Sequence, residues 1–221
     1  MNAKSALIAG ATGLTGSELV KVLLDDPAYD KVKVLVRRQL DIENPKLEQI
    51  RADFYQLEKY AEHFEVDDVY CCLGTTIRKA GSQKAFRRVD YDFPVAIAKL
   101  AKEAGATKFL VISAMGADAR SNIFYSRVKG QLEEALKKME FQALHIFQPS
   151  LLLGERNEFR LGEKAASLLA PAFSPLLRGG MKKYKPIEAK QVAKAMCEAA
   201  KSDETGVLVH SSDEIAEMAA V

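Results

Sequence analysis

The amino-acid sequence predicts an α/β fold in which a doubly wound parallel sheet carries helices on both faces. Short runs rich in Val, Ile and Leu alternate with longer stretches of helical spacing through the first two thirds of the 221 residues. Few of the short runs alternate polar with apolar residues, as expected for strands that are covered on both sides. Repeated strand–helix–strand units with short connections favour one parallel sheet with right-handed crossovers.

The pattern assigns seven strands and six helices. The predicted strands are Ser5–Gly10, Val32–Val36, Leu47–Ala52, Asp67–Leu73, Lys108–Ser113, Ala143–Phe147 and Gly206–His210. The predicted helices are Leu14–Asp26, a weaker short segment Leu57–His63, Gln83–Ala104, Phe124–Met139, Leu161–Ala170 and Glu188–Lys201. Pro94 lies inside the third helix, and because proline lacks a backbone N–H group we expect a kink or break near Phe93.

The whole chain, residues 1–221, is predicted to be a single domain, because neither a repeat nor a low-complexity linker divides it. The rhythm of strands and helices changes after about residue 150. There Pro171, Pro175, Gly179 and Gly180 interrupt any long element. We therefore expect residues 154–187 to form a small lid or substrate lobe inserted in the domain.

The composition argues against two classes of partner. The chain has 32 basic and 30 acidic residues, which gives a net charge of +2. Binding to nucleic acid relies on the neutralisation of phosphates and favours a strongly basic face, so no nucleic-acid partner is expected. No run approaches the roughly 20 apolar residues of a membrane-spanning helix, and the first residues lack a hydrophobic targeting segment, so no membrane partner is expected.

The cysteines and histidines predict a compartment and the absence of a metal. Cys71 and Cys72 are adjacent and Cys197 is distant, an odd set that suits reduced thiols better than a disulfide framework. The sequence therefore predicts a cytoplasmic protein. The three histidines have no ligand-like spacing among themselves or with the cysteines, so no metal site is expected.

A glycine-rich segment follows the first predicted strand and opens the first predicted helix. It reads Gly10-Ala11-Thr12-Gly13-Leu14-Thr15-Gly16. Glycines at this spacing permit a tight turn, let backbone N–H groups approach a pyrophosphate and bring the helix close to the strand. The positive end of the helix dipole also favours an anion. This segment predicts a dinucleotide-binding site.

The residues after the second and third strands favour a particular dinucleotide. An acid after the second strand would bind a ribose 2′-hydroxyl, but here the strand runs into Arg37 and Arg38. Guanidinium groups pair with a 2′-phosphate, so NADP(H) is favoured, while the nearby Asp41 leaves NAD(H) open. Asp53 and Phe54 follow the third strand, where a carboxylate and a ring would meet the adenine.

Ser113, Tyr125 and Lys129 are the candidate catalytic residues. Spacing alone decides little, since Tyr-x-x-x-Lys occurs three times in this chain. Only the Tyr125/Lys129 pair opens a helix after a strand whose carboxyl end faces the expected crevice, with Ser113 at that same end. Residues four apart share a helix face, so the Lys129 ammonium can favour the Tyr125 phenolate and give it an acid/base role near neutral pH.

These residues resemble those of the short-chain dehydrogenases/reductases, in the glycine spacing of the extended and atypical branches. A closer resemblance is to the Tat-interacting tumour-suppressor oxidoreductases and their bacterial relatives. It rests on five segments: Cys72–Thr76, Lys79–Gly81, Phe86–Asp90, Gly116–Asp118 and Tyr125–Glu133. The fold implied is the Rossmann NAD(P)-binding fold.

The resemblance implies NADPH binding with a role for each candidate residue. Tyr125 would be the general acid, Lys129 would hold the nicotinamide ribose, and Ser113 would bind the substrate oxygen. Leu73-Gly74-Thr75 would lie on the adenosine side, and Pro149-Ser150-Leu151 would reach the carboxamide end. The chain departs from the pattern at two positions, since Asp90 replaces an Asn common in extended members and Ala114 replaces a frequent second Ser.

The sequence leaves three functions open. The first is NADPH-dependent reduction of a small carbonyl-type substrate, in which Ser113 polarises the oxygen and Tyr125 gives the proton. The second is a cofactor-sensing regulator or protein-binding module with little or no turnover. The third is an isomerase, dehydratase or epimerase that retains its cofactor. The substrate, a protein partner and a homo-oligomer are not specified by the sequence.

Overall fold

The computed structural model describes residues 3–154 and 184–220. The predicted helix Leu161–Ala170 lies outside these residues, as does most of the lobe predicted at 154–187. The lobe and the single-domain assignment therefore stay predictions.

Seven strands of the described residues form one parallel sheet, which confirms the predicted fold class. Their bounds are β1 Lys4–Ala9, β2 Tyr29–Val36, β3 Leu47–Arg51, β4 Asp68–Cys71, β5 Lys108–Ile112, β6 Ala143–Gln148 and β9 Gly206–Ser211. The strand order is β3-β2-β1-β4-β5-β6-β9, and every neighbouring pair is parallel. The order reverses between β1 and β4, so the carboxyl ends of these two strands border the crevice where such sheets bind ligands.

Helices cover both faces of the sheet. They are α1 Leu14–Asp25, α2 Ile77–Ala80, α3 Gln83–Arg87, α4 Phe93–Glu103, α5 Phe124–Lys137, α6 Ala189–Lys201 and α7 Ser212–Met218, with a 3₁₀ helix at Leu57–Phe64. One core joins α1, α6 and α7 to side chains such as Ile8 and Phe147. The other joins α4, α5 and the 3₁₀ helix to side chains such as Leu7 and Ile146. Successive strand residues alternate between these cores, as the two-residue strand period requires.

The helix predicted over residues 83–104 is broken, as expected, close to Phe93. A π-helical turn, Arg88–Asp92, separates α3 from α4. Pro94 has no N–H group to donate to the carbonyl of Asp90, and the Phe93 N–H group bonds the Arg88 carbonyl five residues back instead. The wider turn carries Asp90, whose side chain is buried.

The end of the chain differs from the prediction. The last predicted element was a strand, yet α7 follows β9 and packs on the sheet. Ser211 and Glu214 form a capping box at its start. This pattern, a Ser followed three residues later by a Glu, marks the start of a helix and is visible in the sequence. The two short strands β7, Leu152–Leu153, and β8, Ile187–Glu188, pair in parallel as a separate two-stranded sheet and were not predicted.

Two histidines lie buried side by side where β6 pairs with β9. His145 Nδ1 and His210 Nε2 are 3.0 Å apart, and the two rings stack with centroids 5.3 Å apart. Burial lowers the pKa of His145 to about 4, with the charges of His210 and Lys108 acting in the same direction. Burial also lowers the pKa of His210, against the opposing effect of Glu214 and Glu204. Both rings are therefore neutral in the folded protein at pH 7.

This pair predicts a loss of stability in mild acid. A histidine with a lowered pKa stabilises the fold above its unfolded pKa of about 6.5, and the stabilisation declines as the pH falls toward the folded value. His145 alone is expected to reduce the free energy of unfolding by about 2 kcal/mol between pH 7.5 and 5. Urea unfolding at both pH values measures this, and His145→Gln should flatten the dependence. His63→Gln is the control, and a full pH dependence in His145→Gln would contradict the assignment.

Candidate active site

The glycine turn after β1 is in contact with the end of β4. Gly10 has a φ of +91°, a conformation that other L residues rarely adopt. A Cβ atom at Gly10 would lie 2.6 Å from the carbonyl carbon and oxygen of Cys72, closer than such atoms approach each other. Only glycine therefore allows β1 to turn at this point.

The start of α1 lies equally close to the turn. A Cβ atom at Gly16 would lie 2.2 Å from the Gly10 carbonyl oxygen, so the third glycine permits the helix to begin against the strand. Gly13 is the N-cap, no side chain caps the helix, and no acidic residue lies in its first turn. The N–H groups at this end have no side-chain acceptor and the dipole favours an anion, so the turn fits the pyrophosphate of a dinucleotide.

The other residues of the turn have different surroundings. Thr12 is exposed at the tip, Leu14 is half-buried and Thr15 is buried. Gly154 lies beside Leu14, because a Cβ atom there would come within 2.7 Å of a Leu14 methyl carbon. The segment after β6 therefore reaches the glycine turn.

The residues predicted to select the adenosine end lie at the carboxyl ends of β2 and β3. Arg37 and Arg38 are exposed directly after β2, and neither forms an ion pair within the described part of the chain. Phe54 packs its ring 5.6 Å from that of Phe93. The Asp53 carboxylate accepts hydrogen bonds from the Tyr55 backbone N–H and the Gln56 side chain, and these bonds stabilise the turn that follows β3.

The segment after β4 is held by the π turn. The Thr75 N–H donates to Asp90 Oδ2 at 2.9 Å. Gly74 is exposed, and a Cβ atom there would lie 3.6 Å from Asp90 Oδ1, an ordinary contact. Leu73 packs partly against the core below α4. Leu73-Gly74-Thr75 thus forms one wall of the crevice beside the glycine turn.

Lys129 is buried and forms an ion pair with Asp90. Its Nζ lies 2.9 Å from Asp90 Oδ1, and both side chains are buried. Burial alone would lower the pKa of the Lys129 ammonium, but the Asp90 carboxylate and, to a smaller degree, Tyr125 and Cys71 raise it above its usual value. The Lys129 ammonium is therefore charged at neutral pH, and the Asp90 carboxylate compensates that charge.

Tyr125 lies one helical turn before Lys129, at the exposed start of α5. Its side chain is 38% exposed and its ring lies 5.8 Å from that of Phe86. The two other Tyr-x-x-x-Lys pairs have no such placement. Tyr29 is buried at the amino end of β2, where its hydroxyl donates to Asp68 at 2.6 Å, and Tyr55 precedes the 3₁₀ helix.

Ser113 follows β5 and is bound to a second buried carboxylate. Its hydroxyl donates to Glu133 Oε1 at 2.5 Å. Gln148 Nε2 donates to both Glu133 oxygens, at 2.9 and 3.1 Å. The sequence resemblance included Glu133 but assigned it no role. As long as the Ser113 hydroxyl donates its hydrogen bond to Glu133, the Ser113 oxygen can only accept hydrogen bonds from other groups.

A close contact fixes α5 in this position. A Cβ atom at Gly130 would lie 2.1 Å from the Ala119 nitrogen and 2.3 Å from the Asp118 carbonyl carbon. The Asp118 N–H also donates to the Ser126 carbonyl at 3.1 Å. The loop after β5 therefore lies directly on the helix that carries Tyr125 and Lys129, a contact that the spacing in the sequence did not reveal.

The segment Pro149-Ser150-Leu151 leaves β6 toward the same crevice. The Pro149 carbonyl accepts from Met115 N–H at 3.1 Å, which holds the segment next to the loop after Ser113. The Ser150 hydroxyl donates to the Lys185 carbonyl and accepts from the Ser212 hydroxyl. The Leu151 carbonyl accepts a hydrogen bond from the Ile187 N–H at 3.0 Å. These bonds tie the predicted carboxamide-side segment to the carboxyl-terminal part of the chain.

Two further observations concern the described residues alone. Among them, no three His, Cys, Asp or Glu side chains come together as metal ligands. None of the helices in 3–154 and 184–220 is long and apolar enough to cross a bilayer.

Comparison with known proteins identifies the glycine turn and its surroundings as part of a known family. Residues 10–166 match a family model described as NAD(P)H-binding. Protein HTATIP2 of Rattus norvegicus is 41% identical over 167 residues, which cover 74% of this chain and 69% of that protein. Protein FMP52, mitochondrial, of Candida albicans is 34% identical over 226 residues, which cover 97% of this chain and 98% of that protein.

Solved structures share the fold at low identity. MoeE5 in complex with UDP-glucose and NAD superposes with a TM-score of 0.71 at 17% identity, covering 98% of this chain and 81% of that chain. The Bordetella bronchiseptica enzyme WbmH in complex with NAD+ gives a TM-score of 0.71 at 15% identity, covering 95% and 75%. At such identities the likeness supports the Rossmann fold.

The cytoplasmic localisation predicted from the cysteines is wrong. The fungal FMP52 relatives, one of which aligns with 97% of this chain, are named mitochondrial. Cys71, Cys72 and Cys197 are free, but free thiols indicate a reducing environment without identifying the compartment.

The glycine contacts predict a sharp difference between two alanine substitutions. Gly10 and Gly105 have φ values of +91° and +84°, but nothing lies within 4 Å of a Cβ atom at Gly105. Gly105→Ala should therefore lower the free energy of unfolding by about 1 kcal/mol through backbone strain alone. Gly10→Ala adds the collision with Cys72 and should cost at least about 3 kcal/mol. Urea unfolding of both variants tests this, and equal losses would refute the close contact.

Proposed function

The chain belongs to the NAD(P)H-binding family of short-chain dehydrogenase/reductase-like proteins that includes HTATIP2 and FMP52, and on this premise we propose that it is an NADPH-dependent oxidoreductase acting on a small carbonyl compound. The observation that carries the proposal is the placement of Tyr125 one turn above the buried Lys129. Both residues lie on the helix after β5. This helix starts on the side of the sheet where the parallel strands have their carboxyl ends, which is also where the glycine turn lies.

The preference for NADPH is supported by the end of β2. Arg37 and Arg38 are exposed beside the turn that fits a pyrophosphate, and neither guanidinium is engaged by a carboxylate of the described residues. Two such groups suit the 2′-phosphate that distinguishes NADPH from NADH, because guanidinium binds phosphate through charge-assisted hydrogen bonds.

The protein's own residues then divide the work of carbonyl reduction. The nicotinamide, when bound, supplies the hydride. Tyr125 is half-exposed at the start of α5 and would give a proton to the substrate oxygen. Lys129 stays charged and would hold the nicotinamide ribose. The Ser113 hydroxyl donates a hydrogen bond to Glu133, and it would donate to a substrate oxygen once that bond is exchanged.

Two other functions differ from this one in whether NADPH is consumed. A cofactor-sensing or protein-binding module would bind NADPH without consuming it. An isomerase, dehydratase or epimerase would convert its substrate without net change in the cofactor. Both use the same binding site, so a cofactor titration alone does not distinguish them from a reductase.

The cofactor assignment predicts a selective loss of affinity. NADPH should bind the purified, cofactor-free protein more tightly than NADH. In the double variant Arg37→Ala/Arg38→Ala, NADPH affinity should fall about 100-fold, because two charge-assisted contacts are lost, while NADH affinity changes little. Calorimetric titration of each protein with each nucleotide measures the four constants.

The matched control removes two adjacent cations elsewhere. Lys137 and Lys138 are exposed at the far end of α5, away from the crevice, so their double alanine variant should keep the wild-type affinities. Selectivity that survives in Arg37→Ala/Arg38→Ala would exclude the arginine explanation. A folded wild-type protein that binds neither nucleotide would overturn the proposed function itself.

The proton-donor assignment predicts a loss of turnover without a loss of binding. Tyr125→Phe should reduce NADPH-dependent reduction of small aldehydes and ketones at least about 100-fold, since the proton source is removed, with NADPH affinity almost unchanged. Absorbance of NADPH during a substrate screen follows the reaction. Tyr55→Phe removes a hydroxyl from another Tyr-x-x-x-Lys pair and should retain activity. Equal activity in Tyr125→Phe and wild type would contradict the role of Tyr125.

A further inference from the structure

The Asp90 side chain uses both carboxylate oxygens on groups that border the crevice. Oδ1 faces the Lys129 ammonium at 2.9 Å, and Oδ2 accepts from the Thr75 N–H at 2.9 Å. Asparagine at this position would offer one acceptor oxygen to two donors. The arrangement therefore uses both the charge and the two acceptors of a carboxylate.

The surroundings of the pair keep its charges strong. Asp90 is 1% exposed and Lys129 is 3% exposed, so water and salt screen them little. The other titratable groups that act on Lys129 are Tyr125 on the same helix and the Cys71 thiol at the end of β4. Burial raises the pKa of that thiol to about 11, so it is neutral at physiological pH. Among the described residues, Asp90 is thus the one carboxylate that is paired with this ammonium.

We propose that Asp90 is a positioning residue that cancels the Lys129 charge at the nicotinamide site, so that the oxidised cofactor binds nearly as well as the reduced one. The inference rests on the proposed function, in which Lys129 holds the nicotinamide ribose. The oxidised nicotinamide ring carries a positive charge and the reduced ring is neutral. An unpaired ammonium beside it would repel only the oxidised form, and the Asp90 carboxylate removes that difference.

The proposal predicts changes in one ratio, the dissociation constant of NADP+ divided by that of NADPH. The two nucleotides share their phosphates and riboses, so a common loss of contacts cancels in the ratio. Asp90→Asn leaves the ammonium unpaired and should raise the ratio about tenfold, the order expected for one charge in a partly buried site. Lys129→Gln leaves the carboxylate unpaired and should lower the ratio. Asp90→Asn/Lys129→Gln should return it to within about twofold of wild type.

The measurement is a calorimetric titration of wild type and the three variants with NADP+ and NADPH at pH 6.5 and at pH 8. Burial favours the neutral form of a charge left unpaired, so the lower pH keeps an unpaired Lys129 charged and the higher pH keeps an unpaired Asp90 charged. Asp92→Asn is the matched control, since it removes an exposed carboxylate from the same π turn and should leave the ratio unchanged. The double variant contains no unpaired buried charge and is expected to fold even if Asp90→Asn does not. The two single variants leave opposite charges unpaired, so whichever of them folds reports the sign of the effect.

Two outcomes would overturn the proposal in distinguishable ways. If Asp90→Asn and Lys129→Gln weaken both nucleotides equally, Asp90 only supports the loop at Thr75 and does not act on the nicotinamide charge. If wild type binds neither nucleotide, the proposed function fails first, before any variant is considered. Opposite changes in the two single variants, cancelled in the double variant, would establish the charge compensation.

Discussion

The contact between Gly10 and the end of β4 is the constraint on which the site depends. With no side chain at Gly10, the turn after β1 lies against the Cys72 carbonyl, and Gly16 lets α1 start against that same turn. The helix end, the turn and the wall at Thr75 are therefore held together by backbone packing, which no side-chain rearrangement can relax. The electrostatic parts of the site are built on this rigid frame, as a preorganised anion site requires.

Helix α5 carries three polar side chains of the candidate site in one stripe. Tyr125, Lys129 and Glu133 lie four residues apart and so share a face. Each meets a different element: Tyr125 contacts the Phe86 ring of α3, Lys129 pairs with Asp90 of the π turn, and Glu133 binds Ser113 after β5. The exposed fraction falls from 38% at Tyr125 to 3% at Lys129 and 5% at Glu133, so the stripe leads from solvent into the core.

The sequence predicted the fold and most strand positions because β1, β2 and β5 are continuous apolar runs and the glycines have local steric roles. From the order of elements alone, it predicted that Tyr125 and Lys129 lie at the start of the helix that follows β5, where the structure has them. It did not predict the partners of Lys129 and Ser113, since these bonds join residues that only the tertiary fold brings together. Helix α7 was not predicted, although its capping box is visible in the sequence. The free cysteines indicate a reducing environment but do not distinguish one cellular compartment from another.

The Asp90–Lys129 pair also limits how this site changes by substitution. Replacing either residue alone leaves a charge in a dry part of the protein, at a cost of several kcal/mol, whereas replacing both leaves none. A substitution at either position therefore needs a compensating change at the other or in the residues around the pair. The effects of substitutions at positions 90 and 129 on stability are accordingly expected not to add.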